Sequence, residues 1–248
     1  MEYGKMAKYY DVFYKDKDYN KEINFIVSLI NDRKTILDVG CGTGIHMHLL
    51  ESIGYEVDGI DLSKDMLEIA DSRVNGKVYQ GNLLDYKINK KYDVIISMFA
   101  VFNHLNSYEE LERGIINSYN HLKDNGILII DLHNGRSNGE KETNYNDFKR
   151  IMKWQFDKEH FIEHTDIDYI IDNKIYHDMH EFKIYEIDKI KDILNKYNLK
   201  YKLYENYSFN EASDKSKNIE IVIYKWIVCR IMSNGSFYYS LTYNKYMW

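Results

Sequence analysis

The chain of 248 residues has no proline and only two cysteines, Cys41 and Cys229. Two cysteines provide neither a disulfide framework nor a cysteine metal cluster. The missing proline goes with abundant Ile, Asn, Lys and Tyr, a compositional bias, and it removes every motif that needs Pro. Positive charge is also short: 33 Lys and Arg stand against 39 Asp and Glu, a net charge of -6. Broad nucleic-acid binding relies on clustered Lys and Arg, so a polymer of phosphates is a poor partner. No long apolar run occurs and the N-terminus is polar, so neither a membrane span nor a signal peptide is expected, which points to the cytoplasm. At 44% hydrophobic the chain can build a core, and its length suits one α/β domain, 1–248, with an insertion.

What the chain does have is the run TILDVGCGTG at 35–44. It begins β-branched and apolar, and ends with glycine at every second position. Residues 45–53 then read as a helix. A strand, a glycine turn and a helix together bring backbone N–H groups to a ligand. Gly40 and Gly42 lack a Cβ, so the backbone can bend sharply and approach closely. The dinucleotide fingerprint would need its third glycine at Ile45. Here it is Gly44, and Asp38 lies two residues before the first glycine, which disfavours a nicotinamide-dependent oxidoreductase. Cys41 sits inside the turn, where a small residue suffices.

Around this unit the pattern alternates. Residues 1–20 carry Tyr9, Tyr10, Phe13 and Tyr14 at helical spacing, either packing on the domain or forming a lid. Residues 21–31 form an amphipathic helix with Ile23, Ile26, Val27 and Ile30 on one face and no functional role. Strands follow at 56–61, 77–83, 92–99 and 126–133. Asp61 ends the second, 21 residues after Gly40, where a carboxylate can accept both ribose hydroxyls of a nucleoside. Ser63 reads as an N-cap and Ser107 with Glu110 as a capping box opening a helix at 107–123. Ligands of open α/β sheets bind at the C-terminal ends of strands, so His104, Asp131, His133 and Asn134 fall on a functional rim.

Residues 134–147 look polar and irregular. Residues 148–156, 159–171 and 174–185 read as antiparallel strands with turns at 157–158 and 172–173. They make a β insertion, 134–185 overall, before the last βα unit. Its histidines match no metal-ligand spacing, so no metal is assigned. A helix at 186–198 and strands at 201–209 and 221–230 close the fold. Residues 232–248 form an aromatic tail that can pack on the sheet, join a dimer contact or stay loose. Monomer and homodimer both remain open. The expected architecture is a Rossmann-like, seven-stranded, mostly parallel sheet with helices on both faces.

The run D-V-G-C-G-T-G, together with Asp61, resembles class I S-adenosylmethionine-dependent methyltransferases. The likeness is good over 3–133 and loose over 134–231. Within the class, GTGIHMHLL, MFAVFNHL and Phe13-Tyr14 are similar to the N-methyltransferases that dimethylate nucleotide-linked amino sugars, and the opening YYDVFY is similar to that of many small-molecule methyltransferases. The resemblance implies S-adenosyl-L-methionine as cofactor. Gly40, Cys41, Gly42 and Gly44 would lie beneath its methionine part and Asp38 would help hold its amino group. Asp61 would take the ribose, with Met66 near the adenine. The family usually has Asp where Asn82 stands, so Asn82 would contact adenine without charge, and Leu83 would offer its N–H. Tyr10, Leu62 and Met98 complete this set.

On the acceptor side the rim offers Tyr14, His104, His133 and Asn134, with Tyr14 and His104 expected at the reaction centre. The sulfonium makes the methyl strongly electrophilic, so the protein mainly orients the acceptor. The missing proline excludes the Pro-Pro motif of methyltransferases for adenine or amide nitrogens and the Pro-Cys nucleophile of cytosine C5 enzymes. A small polar amine is the expected acceptor. A hydroxyl, which needs a stronger base, is the rival. A binding protein that keeps the fold without catalysis is the other.

Overall fold

Neighbouring residues of the central strands face opposite ways, and both ways are apolar. Leu37, Ile95, Leu128 and Ile130 pack with Leu111 and Ile115 of one helix and Ile190 and Leu194 of another. Ile36, Val94, Ile96, Ile127 and Ile129 pack instead with Ile26, Ile30, Met47 and Leu50 from helices on the other face. A strand buried on both faces reads as a continuous apolar run, which is why 92–99 carried no alternation. Each fully buried side chain of this size contributes about 1.5–3 kcal/mol.

The computed structural model describes residues 4–146, 148–226, 228–233 and 236–241. A 3₁₀ turn at Gly4–Tyr9 runs into α1 (Tyr10–Phe13), and α2 covers Tyr19–Ile30. Then come β1 (Thr35–Val39), α3 (Ile45–Ser52), β2 (Glu56–Asp61), α4 (Lys64–Arg73) and β3 (Val78–Gln80). β4 (Tyr92–Ser97) leads through a 3₁₀ turn, Val101–His104, to α5 (Tyr108–Asn120) and β5 (Leu122–His133). Four insertion strands follow: β6 (Gly139–Asn144), β7 (Phe148–Asp157), β8 (Ile162–Ile171) and β9 (Lys174–Lys183). α6 (Ile187–Lys196), β10 (Lys200–Glu205) and β11 (Asn218–Tyr224) complete the main fold.

The main sheet has seven strands in the order β10-β11-β5-β4-β1-β2-β3. β11 runs antiparallel to both neighbours; the other described pairings are parallel. β1 lies between β2 and β4, and the chain winds outward from it in both directions. That reversal opens a crevice at the C-terminal ends of β1 and β4, where open α/β sheets hold ligands.

The insertion is a separate antiparallel sheet, β6-β7-β8-β9. β6 was expected to be irregular. Its side chains, Glu140 to Asn144, are polar on both faces and mostly exposed, so nothing in the sequence marks an alternation. Pairing with β7 from Gly139↔Trp154 to Asn144↔Lys149 makes it a strand all the same. β3 is shorter than expected because Asn82 turns the chain: its carbonyl accepts from the N–H of Asp85 and Tyr86. The strand expected over 221–230 leaves the main sheet after Tyr224, and Val228–Ser233 pairs with Ser236–Leu241 as a hairpin. Of the aromatic tail, Tyr243, Tyr246 and Trp248 lie outside the described residues.

The N-terminal segment sits on the insertion. Phe13 stacks on Tyr169 at 3.9 Å between ring centroids and meets Phe148 edge-on at 5.0 Å. Its carbonyl accepts from Arg150 Nη1 at 2.7 Å and from the Tyr145 hydroxyl at 3.2 Å.

Candidate active site

The glycine turn is left-handed at three positions, with φ of 78° at Gly40, 54° at Gly42 and 79° at Gly44. A Cβ at Gly40 would meet Val101 at 2.5 Å, and one at Gly44 would meet Ala70 at 3.2 Å, whereas one at Gly42 would project into open space. Gly40 and Gly44 therefore serve close packing, and Gly42 keeps the rim of the crevice clear. Asp38, just beneath, is 1% exposed, and its Oδ2 has no hydrogen-bond partner among the described residues. Burial, with Asp61 and Asp131 nearby, pushes its carboxyl up to about 6 against the opposing pull of His46.

Asp61 binds the turn itself. Its Oδ2 accepts from Gly42 N–H at 2.8 Å and its Oδ1 from Ser63 N–H at 2.8 Å. Burial raises its pKa, while these N–H groups work the other way. Each oxygen keeps a second lone pair for a ligand hydroxyl. Beside it Leu62 is 66% exposed, an apolar side chain facing out at the mouth. Met66 is buried at the start of α4, and Met98 is buried at the end of β4. Asn82 is exposed, and its Oδ1 accepts from Leu84 N–H at 2.9 Å. The Leu83 carbonyl accepts from Asn117 Nδ2 at 3.1 Å.

Next to this crevice lies a cavity of about 620 Å³ between the N-terminal segment, the ends of β4 and β5, and the inward face of the insertion. Tyr10, Tyr14, His104 and His133 all line it, although they are separated by up to 123 residues in sequence (133 minus 10). Tyr14 lies edge-on to Phe99 and tilted against Tyr10, each at 4.8 Å. Burial raises its phenol pKa, with Arg150 opposing and Asp178 assisting. His104 faces His180 across 6.1 Å and Phe182 across 4.9 Å. Burial, then the neighbouring His180, pushes His104 down to about 4, so it is neutral near pH 7.

Asn103 places these groups and was not singled out in the sequence. It is fully buried. Its amide donates to the His133 and Lys183 carbonyls at 2.9 and 2.7 Å, and its Oδ1 accepts from His133 N–H at 2.8 Å. One side chain thus ties the turn that bears His104 to β5 and β9. The preceding residues Phe99 and Ala100 both have positive φ, 68° and 60°. Such strain persists where surroundings impose it, and Asp131 Oδ1 accepts from Ala100 N–H at 2.7 Å. Tyr207 donates to the other Asp131 oxygen.

Two expectations need correction. Asn134 does not line the cavity: it is 4% exposed, and its amide donates to the carbonyls of Ser216 at 2.8 Å and Asp214 at 3.3 Å. A loop that arrives from eighty residues further along takes up its polar group. The helix at 21–31 was given no role, yet Glu22 lines the cavity. It is 3% exposed, lies 2.6 Å from His46 Nε2 and pairs with Lys17. Burial opposes its ionisation, but His46 and Lys17 outweigh burial and hold it below the usual range. Its apolar neighbours masked it in the sequence. A clasp was equally hidden: Asp11 accepts from Thr43 Oγ1 at 2.6 Å and pairs with Arg73, whose Nη1 reaches the Thr43 carbonyl at 2.8 Å. It fastens α1 to the glycine turn and to α4.

Residues 36–126 match the methyltransferase domain. The fold is that of the S-adenosylmethionine-dependent methyltransferases. A structure of such an enzyme from Clostridium acetobutylicum superposes with a TM-score of 0.77 at 20% identity, covering 89% of this chain and 97% of that one. Streptomyces venezuelae DesVI superposes with a TM-score of 0.76 at 20% identity, covering 90% and 99%. In sequence, the dTDP-3-amino-3,4,6-trideoxy-alpha-D-glucopyranose N,N-dimethyltransferase of Streptomyces venezuelae is 33% identical over 133 residues, 50% of this chain and 56% of the relative. The chain thus spans about half the length of the curated relative it matches there. Among the described residues no helix is long and apolar enough to cross a membrane.

Proposed function

We propose that this chain is an S-adenosylmethionine-dependent N-methyltransferase whose acceptor is the amine of a nucleotide-linked amino sugar. The observation that carries the reading is the cavity beside the glycine turn, closed by the insertion and walled by Tyr14 and by a His104 of very low basicity. A hydroxyl acceptor needs a strong base at the reacting oxygen, and His104, held down to about 4, is not that base. An amine needs orientation and the loss of a proton it gives up easily.

In this reading Asp38 holds the cofactor's ammonium, which completes its orphaned oxygen, and Gly40, Cys41, Gly42 and Gly44 cradle the methionine part. Asp61 accepts from the ribose hydroxyls. Leu62, Met66, Asn82 and Leu83 border the base, and Tyr10 and Met98 close the inner end. When bound, the cofactor supplies an electrophilic sulfonium methyl. Tyr14 and His104 orient the amine toward it, and residues 1–20, clasped by Asp11 and Arg73, keep water out as a lid. The insertion, 134–185, covers the sugar.

Charge supports a phosphorylated acceptor. Arg150 is 8% exposed, its Nε is unpartnered, and neither it nor Lys141 nor Lys217 forms an ion pair among the described residues, though all three line the cavity. A buried guanidinium without an anion is costly, and a diphosphate would supply one. The activity for which the Streptomyces venezuelae relative is named, on a dTDP-linked amino sugar, supports the same class.

The test is incubation with methyl-labelled cofactor and a panel of dTDP-linked amino sugars, free amino sugars, amino acids, catechols and RNA. Label should pass to nucleotide-linked amines. Transfer to a catechol or to RNA, with none to any amine, refutes the reading.

A further inference from the structure

On the roof of the cavity β9 carries an acid and an imidazole that the sequence treated as ordinary strand residues. His180 is 8% exposed, and its Nε2 lies 3.1 Å from Asp178 Oδ2. Both residues line the cavity. A carboxylate can only accept, so it draws the ring hydrogen of a neutral imidazole to Nε2 and leaves Nδ1 a bare acceptor. That Nδ1 is buried and has no partner among the described residues. Buried acceptors are normally matched, so this one awaits a donor from a ligand.

We propose that His180 takes the proton from the acceptor amine, with Asp178 fixing its tautomer and stabilising the imidazolium that forms. The inference rests on the amine reading above. In the step one N–H bond of the substrate ammonium breaks and its electron pair stays on nitrogen. The proton forms a new bond to His180 Nδ1. The neutral amine is then the nucleophile, and the imidazolium returns its proton to solvent after product leaves.

The surroundings suit this division of labour. His104, on the 3₁₀ turn, faces His180 and is held neutral by burial and by His180 itself, so it neither competes for the proton nor repels it. Phe182 stacks on His180 at 5.8 Å, and Thr165 of β8 is its cross-strand partner. Other charged or titratable groups of the cavity include Asp178 on the same strand, Glu163 and Tyr169 of β8, Lys141 of β6, His133 of β5, Arg150 of β7 and Tyr14 of the N-terminal segment. Glu163 already accepts from His133, with both oxygens 3.1 Å from Nε2. Asp178 therefore remains the carboxylate available to His180, and although burial opposes its ionisation, His180 holds it below the usual carboxylate range.

Long-range proton–nitrogen spectra of the histidine-labelled full chain, without cofactor or acceptor, read the tautomer, with His180→Gln assigning the signal. Neutral His180 should carry its hydrogen on Nε2, and Asp178→Asn should release that preference. Hydrogen on Nδ1, or a tautomer indifferent to Asp178→Asn, overturns the proposal. With a dTDP-3-amino sugar as acceptor, His180→Gln should lower kcat by about tenfold or more near pH 7. The deficit should shrink toward pH 9, where the free amine needs no base, and S-adenosylhomocysteine affinity should not change. An equal deficit at all pH values makes His180 a packing residue. Should the wild type methylate no amine at any pH while the tautomer is as expected, the amine reading fails and the substrate half of the proposal goes with it.

Discussion

On the β1–β2 side of the cleft, the polar groups come from 26 consecutive residues, Asp38 to Ser63 (63 minus 38, plus one), and most of the contacts are backbone: glycine turns, N–H donors and one carboxylate spanning Gly42 and Ser63. Across the cleft, Tyr14, His104, His133, Glu163 and His180 come from five separate segments and act through side chains. They are held by Asn103, by the Phe13–Tyr169 stack and by the Asp11–Arg73 clasp. A local motif that works through the backbone constrains its ligand tightly and tolerates little change. A wall assembled from distant side chains can be refitted one residue at a time, so the first side should set the cofactor and the second the acceptor.

The largest expected effect strikes the backbone side. Gly42→Val adds a side chain where the protein leaves open space. It should lower S-adenosylhomocysteine affinity by about a hundredfold or more, while left-handed strain costs only about 1–2 kcal/mol of stability. Gly54→Val, also at positive φ with nothing within 4 Å, is the control: calorimetry should show binding intact. Equal losses in both would mean that Gly42 matters only for folding.

Asp61→Ala follows, at about 1–3 kcal/mol in binding, the range for hydrogen bonds to a charged group. An unchanged dissociation constant would remove the ribose role. The pH dependence comes next. Asp38 has a pKa of about 6 in the free protein, and a bound ammonium would lower it. Binding therefore releases a proton below that pH, and affinity should fall about tenfold from pH 7 to pH 5. The slope should vanish in Asp38→Asn. A flat wild-type profile would show that no ammonium sits there.

The smallest effect belongs to the side-chain wall. His104→Asn should cost about tenfold or less in kcat/KM, with cofactor binding untouched, because His104 orients and does not take a proton. A loss of several hundredfold would make it the base and would favour a hydroxyl acceptor.

The same contrast divides what could be read early from what could not. The glycine turn, Asp61 and the central strands were legible because each depends on neighbours in sequence: φ above zero favours glycine, and a doubly buried strand must be apolar on both faces. The Ser107 cap was legible for the same reason, and its hydroxyl does accept from Glu110 N–H at 3.2 Å. β6 escaped because a polar strand forms only when its partner β7 is beside it.

By itself the sequence determined the glycine turn and the order of the main-sheet strands and helices around it, since local backbone geometry and hydrophobic period decide those. Only the tertiary structure decided which polar residues share the cavity. Asn134 turned into a loop anchor, Glu22 turned inward from a helix that reads as simple packing, and His180 came to face His104 from 76 residues away (180 minus 104). A polar side chain takes its role from whichever donor or acceptor folding brings within about 3 Å, and that neighbour is set by the packing of the insertion onto the sheet.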